Sequence, residues 1–211
     1  MAILRYTQPA IGIGLMLLML SALIAASFPA VLFAAEKSAG RSDMAGLCLD
    51  CHGADNSTSD PLVPKLNGQL RSFLVKQTKY YLSGERSDTV MSTVIGQFNL
   101  SGNNISEIAD FYSRLPPMKG SGKMTELGKK GKVIFIEQKC IFCHEEADKS
   151  VASYIGETVI VGGQNKSYLI KSMLDIRNRA RIADDFDLMS KTVKHLSDAD
   201  IEAVAEYLSL I

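Results

Sequence analysis

The chain has 211 residues, of which 46% are hydrophobic, and its 23 basic residues are balanced by 23 acidic residues. This length predicts one or two domains, and the composition is typical of a globular chain with one additional apolar segment. Because there is no net positive charge and no basic stripe interleaved with aromatic residues, a function in nucleic-acid binding finds no support.

The first predicted element is the apolar segment at residues 1–35. Almost every residue from Ala10 to Ala35 is apolar, and the charged pair Glu36 and Lys37 ends the run. The run is longer than the roughly 7 to 15 apolar residues of an export signal, and about 20 such residues suffice to span a bilayer. We therefore expect either a cleaved signal peptide or a membrane anchor, and both place the rest of the chain in an exported, oxidising compartment.

Two copies of the motif CxxCH follow, and together they use all four cysteines of the chain. Their residues are Cys48, Cys51 and His52 in the first copy and Cys140, Cys143 and His144 in the second. This motif is the signature of c-type haem attachment, in which two thiols form thioethers with the haem and the histidine binds the iron. Two structural disulfides would leave both histidines unexplained, and a zinc ribbon needs CxxC pairs about 15 to 20 residues apart. The motifs predict two covalently bound haem c groups.

The second half of the chain repeats the first. Gly68-Gln69 and Gly163-Gln164 are each followed, at the same spacing, by an aromatic residue and leucine. Arg86 and Arg181 also lie at the same distance from these two pairs. Such agreement at polar and glycine positions predicts two homologous domains. The two arginines are candidates to pair with haem propionates, although exposed arginines at helix ends are equally common.

The boundary between the repeats is a run of helix-breaking and flexible residues that begins at Pro116. We place the first domain at residues 36–115, a linker at 116–124 and the second domain at 125–211. Amphipathic spacing predicts helices over Gln69 to Ser83 and Gln164 to Ile176. Terminal helices begin at Ser101 and at Ser197, the latter with the pattern of a capping box. No stretch alternates with the period of a strand, so the predicted fold is all-α.

The second axial ligand decides whether each iron is an electron carrier or an open, ligand-binding centre. Between His52 and the linker the only methionine is Met91, and glycines on both sides of it predict a loop that covers the haem. In the second domain Met173 falls inside an amphipathic helix, so we assign it to the core and assign Met189 to the iron. His195 is interpreted as a solvated surface residue.

These features resemble the two-haem class I cytochromes c of the cytochrome c4 type, over essentially everything after residue 35. The resemblance rests on the paired motifs, the Gly-Gln helices, the two arginines, and Met91 and Met189 ahead of the terminal helices. It implies two tandem class I cytochrome c domains, all helical and packed face to face, in addition to the N-terminal apolar helix. It further implies a periplasmic electron carrier rather than an enzyme. The implied partners are redox proteins: a quinol-oxidising complex or another donor, and a terminal oxidase or another acceptor.

The chain also departs from the family pattern. Members usually carry a proline before the Gly-Gln helix, and its carbonyl accepts the second ring proton of the ligand histidine. Pro64 fits this pattern, but Val159 stands at the corresponding position of the second domain. A carbonyl is present at any residue, so we expect the hydrogen bond to His144 to survive with looser positioning.

Two alternatives to a free electron carrier stay open. A membrane-tethered subunit of a larger respiratory complex would share all the haem chemistry and use the N-terminal helix as its anchor. A two-haem peroxidase would need an open iron with an acid or base residue above it, and the sequence places none there.

Overall fold

The structure, a computed structural model, describes residues 43–144, 158–182 and 187–211. The predicted apolar helix at residues 1–35 lies outside the described residues. Within them every regular element is helical, and the all-α prediction is confirmed. None of these described helices has both the length and the apolar character needed to cross a bilayer.

The described part of the first half contains four helices around a small core. They are α1 (Asp43–His52), α2 (Arg71–Ser83), α3 (Thr89–Phe98) and α4 (Gly102–Arg114). The core joins Leu74 of α2 to Ala109 and Tyr112 of α4, and the ring of Tyr112 meets the ring of Phe111 edge-on at 5.1 Å. This core places α4 behind the end of α1, where the first CxxCH motif lies.

In the second half, residues 125–144, 158–182 and 187–211 form four further helices and one short 3-10 turn. They are α5 (Glu126–Glu137), the 3-10 turn Cys140–Phe142, α6 (Lys166–Arg177), α7 (Leu188–Val193) and α8 (Asp198–Leu210). Helix α5 packs closely on α8, where the rings of Phe135 and Tyr207 lie 5.6 Å apart. Gly131 permits this approach, because a side chain there would collide with the backbone of Ala203. The larger of the two cores therefore supports the second CxxCH motif.

The terminal helices begin where the sequence predicts. Ser101 and Ser197 each accept a hydrogen bond from the backbone N–H three residues later, at 3.2 Å from Asn104 and 3.1 Å from Asp200. The side chains of Asn104 and Asp200 accept hydrogen bonds from the serine backbone N–H groups in return. Both helices therefore start with a complete capping box, which satisfies N–H groups that have no partner inside the helix.

The residues that join the two halves are packed rather than free, which differs from the expected flexible linker. The backbone N–H of Gly120 donates to the carbonyl of Ile211 at 2.9 Å, and that of Gly122 donates to Leu210 at 2.8 Å. Met118 is only 5% exposed. The segment lacks helix, as its prolines and glycines predict, but its polar backbone finds partners at the C-terminus of the chain.

Polar contacts fasten one half to the other. The Lys65 ammonium group donates to the carbonyl of Gly163 at 2.7 Å. The Asn165 amide donates to the carbonyl of Val63 at 2.8 Å and to the hydroxyl of Thr58 at 2.9 Å. These contacts lie where the Gly-Gln segment of the second half meets the residues that follow the first CxxCH motif.

Candidate functional site

The first CxxCH motif lies at the C-terminal end of α1. Cys48 and Cys51 are one helical turn apart, so their thiols lie on adjacent positions of the same helix surface. Both are free thiols; Cys48 is half-buried and Cys51 is exposed. Burial and the neighbouring Cys51 thiol raise the pKa of Cys48 to about 11, which keeps it protonated at neutral pH. Because no disulfide joins Cys48 to Cys51, both thiols can form thioethers with a haem.

His52 is the last residue of α1 and is only 6% exposed. Its Nδ1 atom lies 2.8 Å from the carbonyl oxygen of Pro64, which acts as the hydrogen-bond acceptor and so requires the proton on Nδ1. Burial lowers the pKa of His52 and favours the neutral ring. A neutral imidazole with its proton on Nδ1 presents the lone pair of Nε2, the form in which histidine binds a metal.

The second CxxCH motif lies in the 3-10 turn that follows α5. The backbone N–H of His144 donates to the carbonyl of Cys140 at 2.9 Å, and Nδ1 of its ring lies 3.1 Å from the carbonyl oxygen of Val159. The prediction is confirmed: the backbone carbonyl of Val159 takes the place of the proline carbonyl expected from the family pattern. Its distance from His144 Nδ1 is longer than the 2.8 Å between His52 Nδ1 and the Pro64 carbonyl. Burial lowers the pKa of His144 as well.

Met189 faces the free ring nitrogen of His144. Its Sδ atom lies 3.4 Å from His144 Nε2, and it stands near the start of the short helix α7. Met173, the competing methionine, is 9% exposed on α6 and belongs to the core, as its helical spacing predicts. His195 is exposed, as expected. Within the second half, the arrangement brings one imidazole nitrogen and one thioether sulfur together.

Met91 occupies a helix, which corrects the expected loop. Helix α3 begins after Asp88, whose carboxylate accepts hydrogen bonds from the backbone N–H groups of Val90 and Met91, both at 3.1 Å. Ile95, on the next turn, is 3% exposed and anchors the helix in the fold. The side chain of Met91 is half-buried, and in the described part of the chain no hydrogen bond joins it to His52. The role of Met91 as iron ligand stays a prediction.

The two arginines from the repeat meet in one half-buried cluster between the halves. Arg86 donates to the Tyr168 hydroxyl at 3.0 Å and to the Gln77 side-chain oxygen at 2.7 Å. Arg181 donates to the same Gln77 oxygen at 3.0 Å and to the Ser172 hydroxyl at 3.1 Å. Nε of Arg181 is buried without a partner among the described residues, so the cluster retains hydrogen-bonding capacity. The expected pairing of the two arginines with haem propionates stays a prediction. The alternative, that they are exposed arginines at helix ends, is wrong, because both side chains are partly buried and hydrogen-bonded.

The charges of this cluster act on one tyrosine. Burial opposes ionisation of Tyr168, but the positive charges of Arg181 and Arg86 outweigh it and lower the pKa of Tyr168 to about 7. The internal repeat indicates the two arginines and the aromatic position of Tyr168, but it does not indicate that they contact each other. Gln77 lies on the buried face of an amphipathic helix, as core residues of any helical protein do, so no local signal in the sequence marks it.

These donors fit two haem c groups. Each motif offers two free thiols and one histidine whose Nδ1 is held by a backbone carbonyl, so that Nε2 is left to bind iron. Among residues 43–144, 158–182 and 187–211, no group of three or more His, Cys, Asp or Glu side chains is arranged to hold a metal ion directly.

Known proteins share this arrangement of sequence and fold. The family model for cytochrome c matches residues 128–210. The cytochrome c4 of Stutzerimonas stutzeri is 30% identical over 192 residues, which cover 83% of this chain and 89% of the relative. The cytochrome c4 of Pseudomonas aeruginosa is 28% identical over 200 residues, which cover 90% of this chain and 96% of the relative. The crystal structure of reduced recombinant cytochrome c4 from Pseudomonas stutzeri matches with a TM-score of 0.67 and 27% identity, covering 79% of this chain and 95% of that one.

Proposed function

The chain belongs to the cytochrome c4 family, and on that premise we propose that it carries electrons in the periplasm between a respiratory donor and a terminal oxidase or another acceptor. It is an electron-transfer cytochrome with two covalently bound haem c groups, and its partners are redox proteins. The donor is a quinol-oxidising complex or another redox protein. The chain reaches these partners either as a free protein, after cleavage of the leader, or through a membrane anchor at residues 1–35.

We assign eight side chains to the two haems, four in each of the domains 36–115 and 125–211. They are Cys48, Cys51, His52 and Met91 for the first haem, and Cys140, Cys143, His144 and Met189 for the second. The observation that carries the proposal is the 3.4 Å approach of Met189 Sδ to His144 Nε2. With a haem bound, His144 and Met189 would be the two protein ligands of its iron, and an iron with two protein ligands would have no position left for oxygen or peroxide, as an electron carrier requires.

When bound, each haem supplies a one-electron couple at its iron. The residues of the chain attach the haem, orient its histidine ligand and determine its reduction potential. The thiols hold the group covalently, and the carbonyls of Pro64 and Val159 orient the two imidazoles. Thioether sulfur is a soft donor that favours the reduced metal, so methionine ligation raises the reduction potential relative to two nitrogen ligands. Electron transfer of this kind requires no side chain that acts as acid, base or nucleophile.

Intact-mass spectrometry of the exported protein tests the attachment. We expect the chain plus two haem groups, and we expect replacement of both Cys140 and Cys143 by serine to leave one haem. Met173→Leu, a change in the core of the same domain, is the matched control and should keep two haems. One haem or none on the wild-type chain would overturn the proposal.

The same mass spectrum shows whether the exported protein retains residues 1–35. A mass that lacks the leader indicates export as a free periplasmic protein, and a mass that retains residues 1–35 indicates the membrane-tethered alternative. Both outcomes are compatible with the same haem chemistry, so this measurement decides the location without affecting the electron-transfer role.

A further inference from the structure

Two buried glutamines reach from each half of the molecule into the other. Gln164 is 5% exposed, and its side-chain amide contacts both backbone polar groups of Lys65 in the first half. The backbone N–H of Lys65 donates to Gln164 Oε1 at 2.8 Å, and Gln164 Nε2 donates to the carbonyl of Lys65 at 2.9 Å. One side-chain amide thus pairs with the main chain of the opposite domain as a neighbouring strand would.

The equivalent glutamine makes the same contact in the reverse direction. Gln69 is 3% exposed, and its Oε1 accepts from the backbone N–H of Ile160 at 3.0 Å. Its Nε2 donates to the carbonyl of Ile160 at 2.9 Å. The contact is therefore reciprocal, and it follows the internal repeat of the sequence.

The orientation of each amide is fixed by a second contact. Gln69 Oε1 also accepts from the backbone N–H of Leu70 at 3.0 Å, and Gln164 Oε1 accepts from that of Asn165 at 2.9 Å. An amide turned the other way would set its NH₂ group against two N–H donors. The hydrogen-bond network thus allows only the orientation in which the oxygen faces the opposite domain's N–H.

The peptide groups held in this way are the ones that hold the ligand histidines. The N–H of Lys65 and the carbonyl of Pro64 belong to one peptide unit, and that carbonyl accepts from His52 Nδ1 at 2.8 Å. Likewise, the N–H of Ile160 shares a peptide unit with the carbonyl of Val159, which lies 3.1 Å from His144 Nδ1. A continuous chain of two hydrogen bonds therefore runs from each glutamine through one peptide group to the histidine of the other domain.

Hydrogen bonds in such a chain strengthen each other. When the N–H of a peptide group donates, electron density shifts toward its carbonyl oxygen, which becomes a better acceptor; condensed-phase strengthening is about 10 to 30% per bond. A stronger bond to Nδ1–H gives the imidazole more anionic character and makes Nε2 a stronger donor to a metal. A stronger donor stabilises the oxidised iron, so the reduction potential falls.

We propose that Gln164 and Gln69 are positioning residues that tune the haem of the domain opposite to their own. Gln164 lowers the potential of the first haem through the Pro64–Lys65 peptide, and Gln69 lowers that of the second through the Val159–Ile160 peptide. The inference rests on the proposed ligation by His52 and His144. It makes the packing of the two domains a determinant of both potentials, because separating them would release both peptide groups.

The test replaces each glutamine by methionine, which keeps the length of the side chain and removes the amide. The potentials of both haems are measured by spectroelectrochemical titration, and the second haem is identified through the effect of Met189→Leu. We expect Gln164→Met to raise the potential of the first haem more than that of the second, and Gln69→Met to do the reverse. Gln97→Met, at an exposed position of α3, is the control and should change neither.

The Nδ1–H proton of each ligand histidine gives a second readout in the NMR spectrum of the reduced protein. Weaker hydrogen bonding at His52 in Gln164→Met, with His144 unchanged, is the expected result. If Gln164→Met does not fold, Gln164→Asn withdraws the amide by one methylene and predicts the same direction. Shifts confined to the domain of the substituted glutamine, equal shifts at both haems, or no shift would overturn the proposal. Haem content by mass is recorded for every variant, so failure of attachment is distinguished from failure of tuning.

Discussion

The Sδ atom of Met189 lies 3.4 Å from Nε2 of His144, while the other ring nitrogen of His144 is held by the carbonyl of Val159. The imidazole is therefore fixed at one nitrogen and faces a thioether at the other. This relationship supports the proposal that His144 and Met189 are the donor pair of the second haem.

Met189→Leu should open the second iron. Leucine has a similar volume, so the change costs less than about 1.5 kcal/mol of folding free energy, but it supplies no donor atom. We expect the reduced variant to bind one equivalent of carbon monoxide and the second haem to shift to a lower reduction potential. Absorbance titration with carbon monoxide measures the first effect. A variant that stays closed would show that Met189 is not the ligand.

Met91→Leu should have the same effect in the first domain. Met118→Leu is the matched control, since Met118 is buried and its Sδ accepts a hydrogen bond from Gln164 Nε2 at 3.3 Å. We expect carbon monoxide to bind the reduced Met91 variant and not the Met118 variant. The reverse result would assign the first iron to Met118.

The two methionines illustrate what could be predicted from the sequence. The CxxCH motifs, the candidate ligands and the capped terminal helices can each be recognised from the local spacing of residues. The sequence alone therefore predicts them. The glycines on either side of Met91 favour a loop, but the Asp88 cap and the burial of Ile95 stabilise the helix Thr89–Phe98. An aspartate directly before an apolar run was the available signal.

The contacts between the halves could not be predicted in the same way. The repeated Gly-Gln pair indicates that the two glutamines are equivalent positions of the two halves, but a glutamine at the start of an amphipathic helix has many possible partners. Only the fold shows that Gln164 lies against Lys65 and Gln69 against Ile160. Contacts between residues this far apart in sequence depend on how the two halves pack, and periodicity carries no information about that packing.

Tyr168→Phe should make stability less dependent on pH. The arginine pair lowers the pKa of Tyr168 to about 7 in the folded protein, against about 10 in an unfolded chain. Between these values the folded state holds fewer protons than the unfolded state, so its stability rises with pH. This contribution is complete only above about pH 10 and is lost as the pH falls through 7.

Denaturant unfolding of both proteins across this range provides the measurement. Phenylalanine occupies the equivalent position in the first half, Phe73, so the variant should fold. Loss of hydrogen bonds to charged groups costs about 1 to 3 kcal/mol near pH 7, and we expect the difference between the proteins to grow at higher pH. A difference that does not change with pH would mean that Tyr168 stays protonated.

Gly68→Ala should destabilise the fold more than Gly84→Ala. Both glycines have positive φ angles, +67° and +80°, which cost an alanine about 1 to 2 kcal/mol. At Gly68 an added Cβ would also lie 2.5 Å from the Cα atom of Pro117, whereas at Gly84 it would meet nothing within 4 Å. Overpacking adds about 1 to 3 kcal/mol, so denaturant unfolding should separate the two variants by that amount. Equal losses would indicate that the linker moves aside without penalty.

The most direct test of the central claim is a carbon monoxide titration of the fully reduced wild-type protein that carries both haems. If a methionine closes each iron, neither haem binds carbon monoxide rapidly, and the absorbance spectrum of the reduced protein stays unchanged at stoichiometric gas. Rapid stoichiometric binding at either haem would contradict the electron-carrier assignment for that domain and would favour an open, enzyme-like iron there.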